Sequence, residues 1–184
     1  MRNFSFYKTI LFLTLFFVAV SASAWTHGIS IGYGSAKDPN HNQFTNSGEF
    51  LSAEFLSLAQ RSWLNFTFNG SLGNFYTNAP IHKHLFTGAL SLAARFYFLQ
   101  FMNVHPFFLA SAGPAFMTNR HFGLNNQGSD FTFQSALGFG AEFGQKNRID
   151  LNMRMIHYSN ATLILPDQGF NFFYVVSLGY LFGQ

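Results

Sequence analysis

An all-β fold, an eight-stranded antiparallel transmembrane β-barrel, is what this sequence predicts, and three observations predict it. The first is composition: 48% of the 184 residues are hydrophobic, 27 are Phe, and only 9% are charged, against about 25% charged in an ordinary soluble domain. The second is a leader. Met1 to Lys8 carries two basic residues, Ile10 to Val20 is an eleven-residue apolar run, and Ala22-Ser23-Ala24 supplies small residues before Trp25, the pattern of a secretory signal peptide over residues 1–24. The third is that no later stretch is long and apolar enough for a spanning helix. Even Phe96 to Met117 is broken by Gln100, Asn103, His105, Pro106 and Pro114. An exported, Phe-rich, charge-poor chain without spanning helices satisfies its backbone in lipid by closing a β-barrel, here over residues 25–184.

The strands are expected at 26–35, 48–59, 62–72, 86–99, 106–118, 131–143, 148–159 and 170–182. In the third, Leu64, Phe66 and Phe68 alternate with Trp63, Asn65, Thr67 and Asn69. In the sixth, Phe131, Phe133, Leu137, Phe139, Ala141 and Phe143 alternate with Thr132, Gln134, Gly138, Gly140 and Glu142. Ile149, Leu151, Met153 and Met155 alternate with Arg148, Asp150, Asn152 and Arg154 in the seventh. The last strand sets Phe172, Tyr174, Val176, Leu178, Tyr180 and Phe182 on one face. Period-two patterns of this kind put one greasy face against lipid and one polar or small face inward. The connections alternate too. Lys37 to Ser47, Gly73 to Leu85, Asn119 to Asp130 and Asn160 to Gly169 are long and polar, whereas those near Gln60, Met102 and Gln145 are short, as external loops and periplasmic turns are.

Several function classes drop out. Lys and Arg number 10 and Asp and Glu 7, and Arg2 and Lys8 leave with the leader, so the mature chain is nearly neutral and carries no nucleic-acid footprint. There is no Cys, hence no disulfide framework, thiolate metal site or cysteine nucleophile. A lipocalin-like soluble barrel needs a solvated exterior that so few charges hardly supply. A lumen of eight strands is just wide enough for side chains, so Gln134, Glu142, Asp150, Asn152 and Arg154 are expected to form a plug rather than a pore, with Glu142 and Arg148 pairing across their hairpin. His82-Lys83-His84 lies in a polar loop without a carboxylate nearby and reads as solvated rather than metal-binding. Gly138-x-Gly140 lacks a third glycine and a following helix, and reads as close packing.

Chemistry concentrates on the seventh strand. Its lipid-facing row continues in register from Met155 into His157 and Ser159, side chains about 6.6 Å apart along one face, near enough for an imidazole to activate a hydroxyl. Such a pair needs a group to orient the imidazole and donors for a tetrahedral oxyanion. Asn160 and the backbone N–H groups of the following loop are the candidate donors.

His157-Tyr158-Ser159-Asn160-Ala161, followed by Pro166, Gly169 and Asn171, resembles the signature of the outer-membrane lipid A 3-O-deacylase family. Phe133-Gln134, Gly138-Phe139-Gly140 and Phe143-Gly144 resemble its preceding strand. The resemblance implies an eight-stranded barrel with a Ser-His-Glu site on its outer surface, in the outer membrane of a Gram-negative bacterium. It implies Ser159 as nucleophile and His157 as general base, acting on the ester that joins a 3-hydroxyacyl chain to the 3-position of the glucosamine in lipid A. The partners are then lipopolysaccharide as substrate and the surrounding outer-membrane lipids, with no metal or cofactor. In the family the acid lies twelve residues beyond the serine, and here that position is Asn171. Strict alternation along the last strand points Asn171 inward, so a bulge or loop at Phe170 to Phe172 is required if it is to meet His157. Asp167 is the alternative acid, or a turn residue after Pro166. A second function class, a structural or adhesive barrel without catalysis, predicts the same fold.

Overall fold

The computed structural model describes residues 28–99, 101–145 and 147–182; the leader expected over residues 1–24 lies outside them. The strands are β1 (Gly28–Lys37), β2 (Thr45–Arg61), β3 (Leu64–Thr77), β4 (His84–Tyr97), β5 (Val104–Met117), β6 (His121–Phe122), β7 (Asn125–Asn126), β8 (Phe131–Phe143), β9 (Arg148–Ser159) and β10 (Phe170–Leu181). Eight of them form a closed antiparallel barrel in the order β1-β10-β9-β8-β5-β4-β3-β2, and β1 closes it by pairing with both β2 and β10. Closure leaves no unpaired strand edge.

The alternation decides which face is which. On β9, Ile149 and Leu151 are 50% and 46% exposed, while Asp150 and Asn152 are 1% and 5% exposed. The apolar row is outside, the reverse of a lipocalin-like barrel. Near the short turns the lumen is filled by charges that answer one another. Arg95 lies among Glu54, Asp150 and Glu142, Arg148 donates to Glu142 at 2.8 Å, and the Tyr97 hydroxyl donates to Glu142 at 2.6 Å. Buried charges persist only when paired in this way, and removing one partner costs about 3–5 kcal/mol.

Towards the long loops the filling changes from polar to aromatic. Phe50, Phe75, Phe122, Tyr158, Phe170 and Phe172 are buried together, with Phe75 stacked on Phe172 at 4.3 Å between ring centroids. Beneath them, the Tyr158 hydroxyl receives a hydrogen bond from Gln134 at 2.6 Å and lies 3.2 Å from Thr87 Oγ1.

Two elements depart from the expected pattern. β3 continues to Thr77 because Phe75, in a stretch whose polar neighbours read as loop, turns into the aromatic cluster and the chain keeps pairing with β2 and β4. Inside the long loop after β5, the β6–β7 hairpin lowers Phe122 into the barrel mouth, turning at Gly123 with φ +62°. This hairpin ties the loops together. Gly123 N–H donates to His82 O at 2.9 Å, and Gln168 N–H to Asn126 O at 3.1 Å.

Candidate active site

His157 and Ser159 sit at the loop end of β9, on the same side as exposed Ile149 and Leu151, while the intervening Ile156, Tyr158 and Asn160 are buried. Across β8, His157 faces Ser135 and Ser159 faces Phe133. On the other flank, His157 faces Asn171 of β10.

That last pairing depends on a bulge. Phe172 pairs with Ile156, but the next partner pair is Val175 with Arg154, so β10 carries one extra residue between them. Tyr174 takes up the irregularity with φ +61°, a rare conformation for a bulky residue. One extra residue reverses the alternation. Phe172 is therefore fully buried, not on the outer row expected from the sequence, while Tyr174 and Val176 are 73% and 51% exposed. Asn171 then shares the outward side with His157, and its Oδ1 lies 2.5 Å from the imidazole Nδ1. The bulge falls just beyond the stretch where alternation required one. With an amide oxygen as the acceptor, Nδ1 carries the proton and Nε2 is left with its lone pair.

The loop from Asn160 to Gly169 closes over the other edge of the ring. A Cβ on Gly169 would come within 2.8 Å of Tyr158 O and 2.9 Å of His157 Cε1, so only glycine permits this approach. Asn40 Nδ2 holds the Gly169 carbonyl at 3.3 Å, and Gln127 Nε2 holds the Gln168 carbonyl at 2.7 Å.

Asp167 meets the serine rather than the imidazole. Ser159 Oγ donates to Asp167 Oδ2 at 2.8 Å. Asn160 N–H donates to Asp167 Oδ1 at 3.1 Å, and Thr162 N–H to Asp167 Oδ2 at 2.8 Å. Partial burial pushes this carboxyl up, but the hydrogen bonds from Thr162, Ser159 and Asn160, with the nearby imidazole, outweigh it and hold the group below its ordinary value. Asp167 is thus more than a turn residue.

The side chain of Asn160 is spent elsewhere. It is buried, and its Nδ2 donates to the carbonyls of Gln127 and Ile164. These bonds clamp the loop from beneath and commit the side-chain amide that the sequence offers as an oxyanion donor. Sequence reasoning missed Gln127, whose side-chain amide braces the loop at Gln168, and the irregular backbone at Tyr174, because neither a loop contact nor a bulge leaves a signature in the local pattern. His82, weighed beside His84 as a metal ligand, instead stacks on His121 at 4.9 Å, and no group of three or more potential metal ligands occurs among the described residues.

Comparison with known proteins bears on this arrangement. Residues 50–180 match the model of the family described as lipid A 3-O-deacylase (PagL). Lipid A deacylase PagL of Pseudomonas aeruginosa is 33% identical over 79 residues, 41% of this chain and 44% of that protein; the match therefore spans less than half of that relative. The crystal structure of the outer membrane enzyme PagL superposes with a TM-score of 0.59 at 23% identity, covering 85% of this chain and 99% of that one. Neisserial surface protein A superposes with a TM-score of 0.55 at 12% identity, covering 86% and 96%. Likeness at these identities concerns the fold, which unrelated functions share.

Proposed function

The chain belongs to the lipid A 3-O-deacylase (PagL) family, and from that premise we propose that it is an outer-membrane esterase that removes the 3-O-linked 3-hydroxyacyl chain of lipid A. The observation that carries this reading is the row Met153, Met155, His157, Ser159 on the outer face of β9, with His157 Nδ1 tied to Asn171.

In this mechanism Ser159 Oγ attacks the ester carbonyl as its proton passes to His157 Nε2, and the carbonyl π pair moves to oxygen. Collapse breaks the bond to the glucosamine oxygen, which takes the proton from the imidazolium. Water then repeats the sequence on the acyl-serine, releasing a 3-hydroxy fatty acid and restoring both side chains. Asn171 fixes the imidazole tautomer but brings no negative charge to the imidazolium. Chemistry on the outer wall suits a substrate whose acyl chains are themselves in the bilayer. Below the dyad, a groove of about 340 Å³ is lined mainly by Leu137, Phe139, Met153, Met155 and Tyr174, with Gly138 and Arg154 also on its surface, a largely apolar bed for one such chain. Leu163, Ile164 and Leu165 of the adjacent loop are exposed and extend the greasy surface above it.

The test is release of 3-hydroxy fatty acid from lipopolysaccharide by the purified barrel in detergent, followed by mass spectrometry of both products. Wild type is expected to remove one 3-hydroxyacyl mass, and Ser159→Ala and His157→Ala none. A second reading, a surface barrel without catalysis, is favoured by one observation, the Ser159 hydroxyl turned to Asp167. Lipid A of unchanged mass after incubation with wild type selects that reading.

A further inference from the structure

Beside Ser159, the loop gathers its backbone donors around one point. Ala161 and Thr162 both hold left-handed backbone, at φ +56° and +60°, and the N–H groups from Asn160 to Thr162 are taken up by Ser159 Oγ and the Asp167 carboxylate bonded to it. Ala161 N–H reaches Ser159 Oγ at 3.1 Å, while Asn160 N–H and Thr162 N–H reach the two oxygens of Asp167. Successive N–H groups arranged in this way form a concave anion site, and acyl transfer needs one within reach of the nucleophile.

The distribution of charge is the reverse of what the reaction calls for. The transition state is negative at the carbonyl oxygen, next to Ser159, and positive at the imidazole. Here the carboxylate of Asp167 lies against Ser159 and the loop amides, and the neutral amide of Asn171 lies against the imidazole.

We propose, on the basis of the esterase reading above, that Asp167 occupies the oxyanion site as an internal anion and so restrains Ser159, rather than serving as the acid behind His157. Its carboxylate takes the amide hydrogens that the oxyanion needs, draws the serine proton away from the base, and places a like charge where negative charge must develop. The Asp167 oxygens bond the Ser159 hydroxyl and the N–H groups of Asn160 and Thr162, so its loss relieves the nucleophile more than it deprives the base.

The experiment compares wild type with Asp167→Asn, which keeps the shape and one acceptor, removes the charge and adds a donor. Folding is checked by heat-modifiable gel mobility. The expected result is a rise in kcat of about tenfold or more, each tenfold being a modest change in barrier, with KM within about twofold. The double variant Asp167→Asn/Asn171→Asp should exceed the product of the two single effects, because it moves the charge to the imidazole; a merely structural role for Asp167 gives no such gain. Should Asp167→Asn fail to fold, Asp167→Ser carries the same expectation. An active wild type with Asp167→Asn equal or slower overturns the restraint and leaves the esterase reading standing. No fatty acid from wild type or any variant overturns both.

Discussion

Replacing Gly169 with alanine tests whether the loop positions the imidazole. The added Cβ would lie 2.8 Å from Tyr158 O and 2.9 Å from His157 Cε1, where ordinary contact begins near 3.4 Å, so about half an ångström of overlap must be relieved on each side. Tyr158 O belongs to the β9 backbone and yields little. The loop and the imidazole must therefore give, moving Nε2 relative to Ser159 Oγ. Displacements of about 1 Å in a reacting pair cost on the order of 10²-fold in rate, and overpacking of this kind costs about 1–3 kcal/mol of stability, a loss the closed barrel is expected to withstand. The assay is kcat for fatty-acid release, with heat-modifiable mobility confirming a folded barrel. A fall of about 10²-fold in a folded protein is expected. A folded Gly169→Ala variant with wild-type kcat would refute the argument that this approach sets the position of His157.

Three further outcomes follow from the same geometry. Asn171→Ala removes the acceptor at His157 Nδ1, a part-buried hydrogen bond worth about 0.5–1.5 kcal/mol, which corresponds to about a 2–10-fold drop in kcat for fatty-acid release. Thr162→Gly retains the N–H while relieving left-handed strain of about 1–2 kcal/mol at a β-branched residue, so hydrogen exchange at Asn160 and Thr162 should slow. Asp167 sits below its ordinary value when folded, so its contribution to the loop is complete above the unfolded carboxyl value of about 3.9 and is lost as pH falls through the lower folded value. Exchange over residues 160–167 should therefore quicken in acid before the barrel strands open, and equal protection across acid pH contradicts that assignment.

The sequence was most informative where a pattern repeats. Ile149, Leu151, Met153 and Met155 against Asp150 and Asn152 specify strand, face and barrel together, because lipid outside and a narrow lumen inside demand opposite chemistry on alternate residues. The same alternation runs on into His157 and Ser159, which share the side of exposed Ile149 and Leu151. It failed at Phe172-Phe173-Tyr174-Val175, where four apolar residues in succession give no cue to which face each takes. The bulge is decided by Phe172 packing into the aromatic mouth on Phe75. Phe122 was equally hidden, since an aromatic residue in a polar loop names no partner. Asp167 was visible as a candidate acid, but whether it meets the serine or the imidazole depends on the left-handed turn at Ala161 and Thr162, two residues with no intrinsic preference for it.

Everything turns on His157 activating Ser159 on the outer wall of the barrel. A long-chain alkyl fluorophosphonate, which loses fluoride to an activated serine, added to the folded protein in detergent and followed by intact mass and peptide mapping, reads this directly. A single adduct on Ser159 that disappears in His157→Ala is expected. An unlabelled wild type, or labelling of Ser159 at the same rate without His157, contradicts it.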